Sequence, residues 1–211
     1  MIRSILIFVF WSCVVSANSQ QIIEKHMDCS KMDTISLNLQ IADSIRIQTW
    51  IKDEVYVKGS VNINDNQDND AYVTSFSEDG NTVIINANFS ANYFKGKKNC
   101  CNESQIYWQI FIPEKVDFSV ETINGNITIT GNTKAMKVMS ISGYIDLAVP
   151  STRATDIELS TYSGRMYSNL DINPAKKHNR IPMRISEELN DGGDLIKLET
   201  ISGNIFIRKS N

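Results

Sequence analysis

Four stretches of the chain follow one template. They are Phe118-x-Val120-Glu121-Thr122-Ile123-Asn124-Gly125-Asn126-Ile127, Met136-x-Val138-Met139-Ser140-Ile141-Ser142-Gly143-Tyr144-Ile145, Ile157-x-Leu159-Ser160-Thr161-Tyr162-Ser163-Gly164-Arg165-Met166 and Ile196-x-Leu198-Glu199-Thr200-Ile201-Ser202-Gly203-Asn204-Ile205. Each copy begins apolar-x-apolar, as in a strand with one buried face. A step of three follows, from Val120 to Ile123 and likewise in each copy, and such a parity break requires a bend or bulge. Read by hydropathy, the step predicts a buried ladder of Ile123, Ile141, Tyr162 and Ile201. Thr122, Ser140, Thr161 and Thr200 then form a second, hydroxyl-bearing ladder. Gly125, Gly143, Gly164 and Gly203 are structural, because the corner needs a crowded or positive-φ position.

These glycines lie 18, 21 and 39 residues apart. A period of about 20 residues indicates a solenoid whose turns bury their faces by stacking. The long last interval predicts a degenerate rung around Ile181, Met183 and Ile185, with Pro174 to Arg180 as a looped insertion. The expected fold class is therefore all-β, a single-stranded parallel β-helix with rungs of about 20 residues. Residues 116–211 hold the regular repeats, and residues 20–115 continue the same sheets less regularly. Ile45-x-Ile47-Gln48-Thr49-Trp50 matches the first six template positions, with Trp50 in the Ile/Tyr slot. A separate small β-sandwich is the rival reading of this half.

Residues 1–19 read as a signal peptide. Arg3 precedes an apolar run from Ile5 to Val15, and small residues follow at Ser16, Ala17 and Ser19. The run is shorter than the ~20 residues a bilayer span takes, and no later segment reads as membrane-spanning. The expected location is outside the cytoplasm: periplasm, cell surface or extracellular. Cys13 follows Phe10-Trp11-Ser12, a poor match to a lipid-attachment motif. An exported compartment permits disulfides, so Cys29 is a candidate to pair with Cys100 or Cys101.

The chain has 211 residues, 42% hydrophobic and 21% charged, with a formal net charge of -3. That is a globular balance. The basic cluster from Lys95 to Lys98 reads as a solvated loop, and no stretch makes a nucleic-acid footprint. No metal or cofactor is expected, since there is no C-x-x-C and His26 and His178 are isolated. Asp65, Asp68 and Asp70 lie in a polar loop that departs from the calcium-loop pattern.

No catalytic motif is present. The Ser-Gly pairs recur in the repeats, which marks them as structural. Asp117, Glu121, Asp146, Asp156, Glu158 and Glu199 are candidates for an outward carboxylate ladder. Glycoside hydrolysis would need two of them ~5–9 Å apart. Lyase chemistry would want a base such as Lys134 or Arg165. Tyr144 and Arg165 occupy the position after the glycine, which points outward by parity. They are the candidate binding residues, suited to a surface glycan or an envelope protein.

Glu121-Thr122-Ile123-Asn124-Gly125-Asn126-Ile127 and Leu198 to Ile205 with Arg208-Lys209 resemble the T-x-S-G-D/N-I signature of the bacterial putative-adhesin family, a family of unknown function. Asn190-Asp191-Gly192-Gly193-Asp194-Leu195-Ile196-Lys197-Leu198 is similar to that family's L-N-G-G-G stretch, and Ile47 to Val55 to its W-D-K-D-E-V strand. The resemblance spans most of residues 30 to 209. It implies a single-stranded β-helix exported to the bacterial envelope and transfers no catalytic residues. The expectation is a non-catalytic adhesin-like binding or scaffold protein. The alternatives are a carbohydrate-active β-helix enzyme and a self-assembling scaffold.

Overall fold

The structure is a computed structural model that describes residues 19–95, 103–170 and 182–210. It is all-β. The strands are β1 Gln21–Asp28, β2 Thr34–Leu39, β3 Ile41–Trp50, β4 Glu54–Ile63, β5 Tyr72–Asp79, β6 Thr82–Phe89, β7 Ser104–Pro113 and β8 Asp117–Thr130. They continue as β9 Met136–Ser142, β10 Ile145–Val149, β11 Thr155–Thr161, β12 Met166–Ser168, β13 Met183–Leu189, β14 Asp194–Ser202 and β15 Ile205–Lys209.

All fifteen strands join one sheet with two wings. Wing A runs β5-β6-β2-β8-β9-β14-β11-β13, and wing B runs β1-β4-β7-β3-β8-β10-β15-β12. The long β8 belongs to both: Asp117–Glu121 pairs with β2, and Asn124–Thr130 pairs with β3. Inward residues of the two wings share one core. Tyr72 of β5 and Trp108 of β7 meet across it, with the indole N–H 3.4 Å from the Tyr72 hydroxyl.

The repeats pair in parallel and in register. Phe118, Met136, Ile196 and Ile157 form one column, and Val120, Val138, Leu198 and Leu159 the next. Beyond the bend come Ile127, Ile145, Ile205 and Met166. The stacking is not in chain order, because the fourth copy lies between the second and the third. The expected extra rung is also absent from the stack. Met183 and Ile185 belong to β13, which runs antiparallel to β11 at the edge of wing A. Ile181 and residues 174–180 lie outside the described residues.

The corner is inverted relative to the hydropathy reading. Ile123, Ile141, Ile201 and Tyr162 are 44%, 39%, 50% and 60% exposed, whereas Thr122, Ser140, Thr200 and Thr161 are buried. The cause is hydrogen bonding. A buried hydroxyl needs a hydrogen-bond partner, and the bend brings backbone carbonyls within its reach. Ser140 Oγ donates to the Ser142 carbonyl (2.8 Å), and Thr122 Oγ1 to the Asn124 carbonyl (3.1 Å). Thr161 Oγ1 lies 3.0 Å from the Gly203 carbonyl and accepts from the Gly164 N–H (3.0 Å). Thr200 Oγ1 lies 2.8 Å from that same carbonyl and from Thr161 Oγ1. Alternation therefore runs through the hydroxyl residue and leaves the next side chain outward, and the parity break falls one residue later, where Asn124, Ser142 and Ser202 also face out.

The glycines serve close approach. A Cβ on Gly203 would overlap the Gly143 carbonyl, and one on Gly164 would overlap the Gly203 carbonyl. Among the four, only Gly143 has a positive φ, at 111°.

The N-terminal match is offset. Ile45 lies beside Ile127 and Ile47 beside Ile129, so they stack on the template's end rather than its start. Its start is matched by Ile35 and Leu37, beside Phe118 and Val120. Trp50 consequently sits beyond the repeat columns, next to the turn into β4.

Thr161→Val removes the group that serves both Gly164 and Gly203, and is expected to lower the unfolding free energy by about 1–3 kcal/mol. Ile141→Ser, at the exposed position, should change it by less than about 0.5 kcal/mol. Denaturant melts of the two variants check the inversion, since a buried Ile141 would reverse the ranking.

Candidate functional site

Outward residues on the two wings differ in kind. On wing A, register places Ser36, Ser119, Lys137, Lys197, Glu158 and Ser186 in one row across the strands. The next row holds Asn38, Glu121, Met139, Glu199, Ser160 and Arg184. Neither row has an aromatic ring. At its β13 end this face forms a groove of about 270 Å³ lined by Glu158, Ser160, Arg184, Ser186, Lys197 and Glu199. Lys197 Nζ lies 3.7 Å from Glu158 and 3.4 Å from Glu199.

The six carboxylates considered from sequence do not form one ladder. Asp146 is on wing B, where Arg208 grips it at 2.6 and 3.0 Å. This pairing raises the Arg208 pKa. Asp117 faces Lys134 at 3.4 Å. Only Glu158 and Glu199 are brought together, through Lys197.

Wing B carries the rings. Tyr144, Phe206 and Tyr167 cluster at the β12 end. Tyr167 stacks on Phe206 at 5.1 Å and 9°, and Tyr144 meets Phe206 at 6.0 Å and 83°. At the other end, His26, Tyr56, Phe111 and Trp50 follow one another across β1, β4, β7 and β3, with centroid spacings of 4.4, 6.0 and 5.1 Å. Lys52 Nζ sits 4.6 Å over the Trp50 ring, and the indole N–H donates to the Glu54 carbonyl at 2.7 Å. Tyr56 donates to Glu24, which raises the Tyr56 pKa.

Tyr144 and Arg165 both reach the surface of wing B, as their template position predicts. They are two strands apart in the stack, with Asn204 between them. The sequence reading missed Tyr56, Phe111, Tyr107, Phe206 and Tyr167. All but Tyr167 alternate with buried residues along their strands, a signal for outward rings, but their adjacency depends on strand order.

The polar loop after β4 is held by its own side chains. Asn64, Asp65 and Asn66 have positive φ, and Asp68 accepts from Asn64 Nδ2 (2.5 Å) and the Tyr93 hydroxyl (3.0 Å). No group of three potential metal ligands occurs among the described residues. Cys29 is buried and has no disulfide partner among them, while Cys100 and Cys101 lie outside them. No helix among the described residues is long and apolar enough to cross a bilayer.

The chain matches no family model and none of the curated proteins. Among solved structures it is similar to one described as a putative cell adhesion protein from Clostridium sporogenes. The TM-score is 0.60 at 12% identity, covering 91% of this chain and 100% of that one. A putative adhesin from Bacteroides fragilis aligns with TM-score 0.27 at 11% identity, covering 92% and 99%. A putative lipid binding protein from Parabacteroides distasonis aligns with TM-score 0.25 at 12% identity, covering 90% and 97%. The first likeness shows a shared fold, and the other two carry no argument.

Burial pushes the Cys29 thiol up to about 11. It is therefore expected to resist alkylation at pH 8 in the native protein and to react once unfolded. Mass spectrometry of iodoacetamide-treated samples reads this directly.

Proposed function

We propose that the chain is an exported, non-catalytic, adhesin-like binding module of the bacterial surface, a β-solenoid whose binding face is the outside of wing B. One observation carries this reading: outward rings gather on wing B, whereas the two outer rows of wing A hold none. Rigid strands hold those rings at small entropic cost on binding. The fold shared with the putative cell adhesion protein from Clostridium sporogenes supports the same reading. Tyr144 and Arg165 mark the β12 end of the face.

The groove on wing A favours a second reading, a carbohydrate-active enzyme using Glu158 and Glu199. Both carboxylates are engaged by Lys197 rather than set across an open cleft, which ranks this below the binding module. Self-assembly through open strand edges ranks lower still. Three edge strands carry charge: Glu24, Lys25 and Asp28 on β1, Glu78 and Asp79 on β5, and Arg184, Glu187 and Glu188 on β13. The fourth, β12, has only three residues. Short or charged edges oppose edge pairing.

The test screens purified protein against surface glycans and envelope proteins, with polysaccharide cleavage measured in parallel. Binding that Tyr144→Ala and Arg165→Gln weaken by about tenfold (~1.4 kcal/mol), without cleavage, is expected. Glycan cleavage abolished by Glu158→Gln or Glu199→Gln would contradict the proposal.

A further inference from the structure

We infer that the ligand of wing B is an extended acidic polysaccharide lying across the strands along the row Tyr107, Ser44, Asn126, Tyr144, Asn204 and Arg165. This rests on the reading of wing B as the binding face and adds the chemical class of what it holds.

Register puts these six side chains in line. Ser44 of β3 pairs with Tyr107 of β7 on one side and Asn126 of β8 on the other. The Tyr144 N–H then donates to Asn126 Oδ1 (3.3 Å), and the Arg165 N–H to Asn204 Oδ1 (2.9 Å). The Ile145 N–H donates to the Asn204 carbonyl (3.0 Å), which places Asn204 next to Tyr144. The row therefore advances one residue per strand, about 4.8 Å each time. That pitch is close to the rise of one hexose in an extended β-linked chain, so successive sugars would meet successive strands.

The chemistry along the row suits sugars. Tyr107 and Tyr144 are 45% and 38% exposed and stand three strands apart, roughly 14 Å. Tyr107 has no ring partner among the described residues, so a sugar ring can stack on it. Between them lie the Ser44 hydroxyl and the Asn126 carboxamide. The two asparagine oxygens are committed to backbone N–H groups, which fixes both side chains and leaves each NH2 as a donor for a ligand.

Charge selects an acidic chain. On this face Lys58 is 3.9 Å from Glu24, and Arg208 is bound to Asp146. Arg165, at the end of the row, and Arg46, two residues on from Ser44, are exposed and have no ion pair among the described residues. A free guanidinium fork matches a carboxylate or sulfate geometrically. Tyr107 and Tyr144, the two rings of this row, are spaced along it, whereas protein-binding anchors cluster at the centre of an interface. This spread favours a polysaccharide over a protein partner.

The experiment titrates the purified protein with oligogalacturonides, alginate oligomers and heparin-derived oligomers, from disaccharide to decasaccharide, with neutral cello-oligosaccharides alongside. Affinity is expected to rise at least tenfold from disaccharide to hexasaccharide in one acidic series and then to level off. It should fall with added salt and stay at least tenfold above that for the neutral series. Tyr107→Ser, Arg165→Gln and Arg46→Gln should each weaken it about tenfold, while Glu158→Gln on wing A leaves it unchanged. Affinity that is independent of length, equal for neutral chains, or lost with Glu158→Gln overturns the inference. Envelope-protein binding that needs Tyr144 and Arg165, with no acidic oligomer bound, overturns the polysaccharide assignment and leaves the binding face standing. Binding that no wing B substitution affects overturns both.

Discussion

At each corner of the repeat stack, a buried hydroxyl bonds to a backbone carbonyl of the bend, and a glycine lets the neighbouring repeat approach. The rest of the structure depends on this arrangement. Ser140 serves Ser142, Thr122 serves Asn124, and Thr161 and Thr200 both meet Gly203. Without the hydroxyls, each corner would lose a side-chain-to-backbone hydrogen bond, about 0.5–1.5 kcal/mol apiece. Without the glycines, a Cβ would collide with the neighbouring rung's carbonyl. The bend they permit lets β8 lie in both wings, and so lets one core form between wings A and B.

That corner also creates the outer surface. The residue after the glycine leaves the bend facing outward and begins the wing B strand. The repeat therefore displays one variable side chain per rung at a fixed spacing: Asn126, Tyr144, Asn204 and Arg165 in spatial order. The corner explains why two of these are asparagines, since each carboxamide oxygen accepts a neighbouring backbone N–H. The other two positions are free of that duty and carry the larger side chains. Carboxamides that accept a neighbouring N–H thus alternate with larger outward side chains along one column.

Much of this was legible from the template. The strand periodicity, the column partners and the crowded glycines follow from residue spacing, as does the outward position of Tyr144 and Arg165. The orientation of Ile123 and its equivalents did not follow, because hydropathy was weighed without the hydrogen bonds that let Thr and Ser lie buried at the corner. The order of the rungs was also hidden. An interval of 39 residues fits an unseen rung as well as it fits the antiparallel excursion of β13. Ile45 was assigned to the wrong half of the template because apolar-x-apolar occurs on both sides of the bend. The ring ladder of His26, Tyr56, Phe111 and Trp50 joins four strands whose order in space differs from their order in the chain. No local pattern reports that adjacency.

The most direct test of this account is a through-space NMR measurement between side chains of the corner column. Thr200 is predicted to show contacts with both Ser140 and Thr161, and Ser140 none with Thr161. Contacts linking Ser140 directly to Thr161, with Thr200 at the end of the column, would contradict both the rung order and the shared Gly203 carbonyl on which the corner depends.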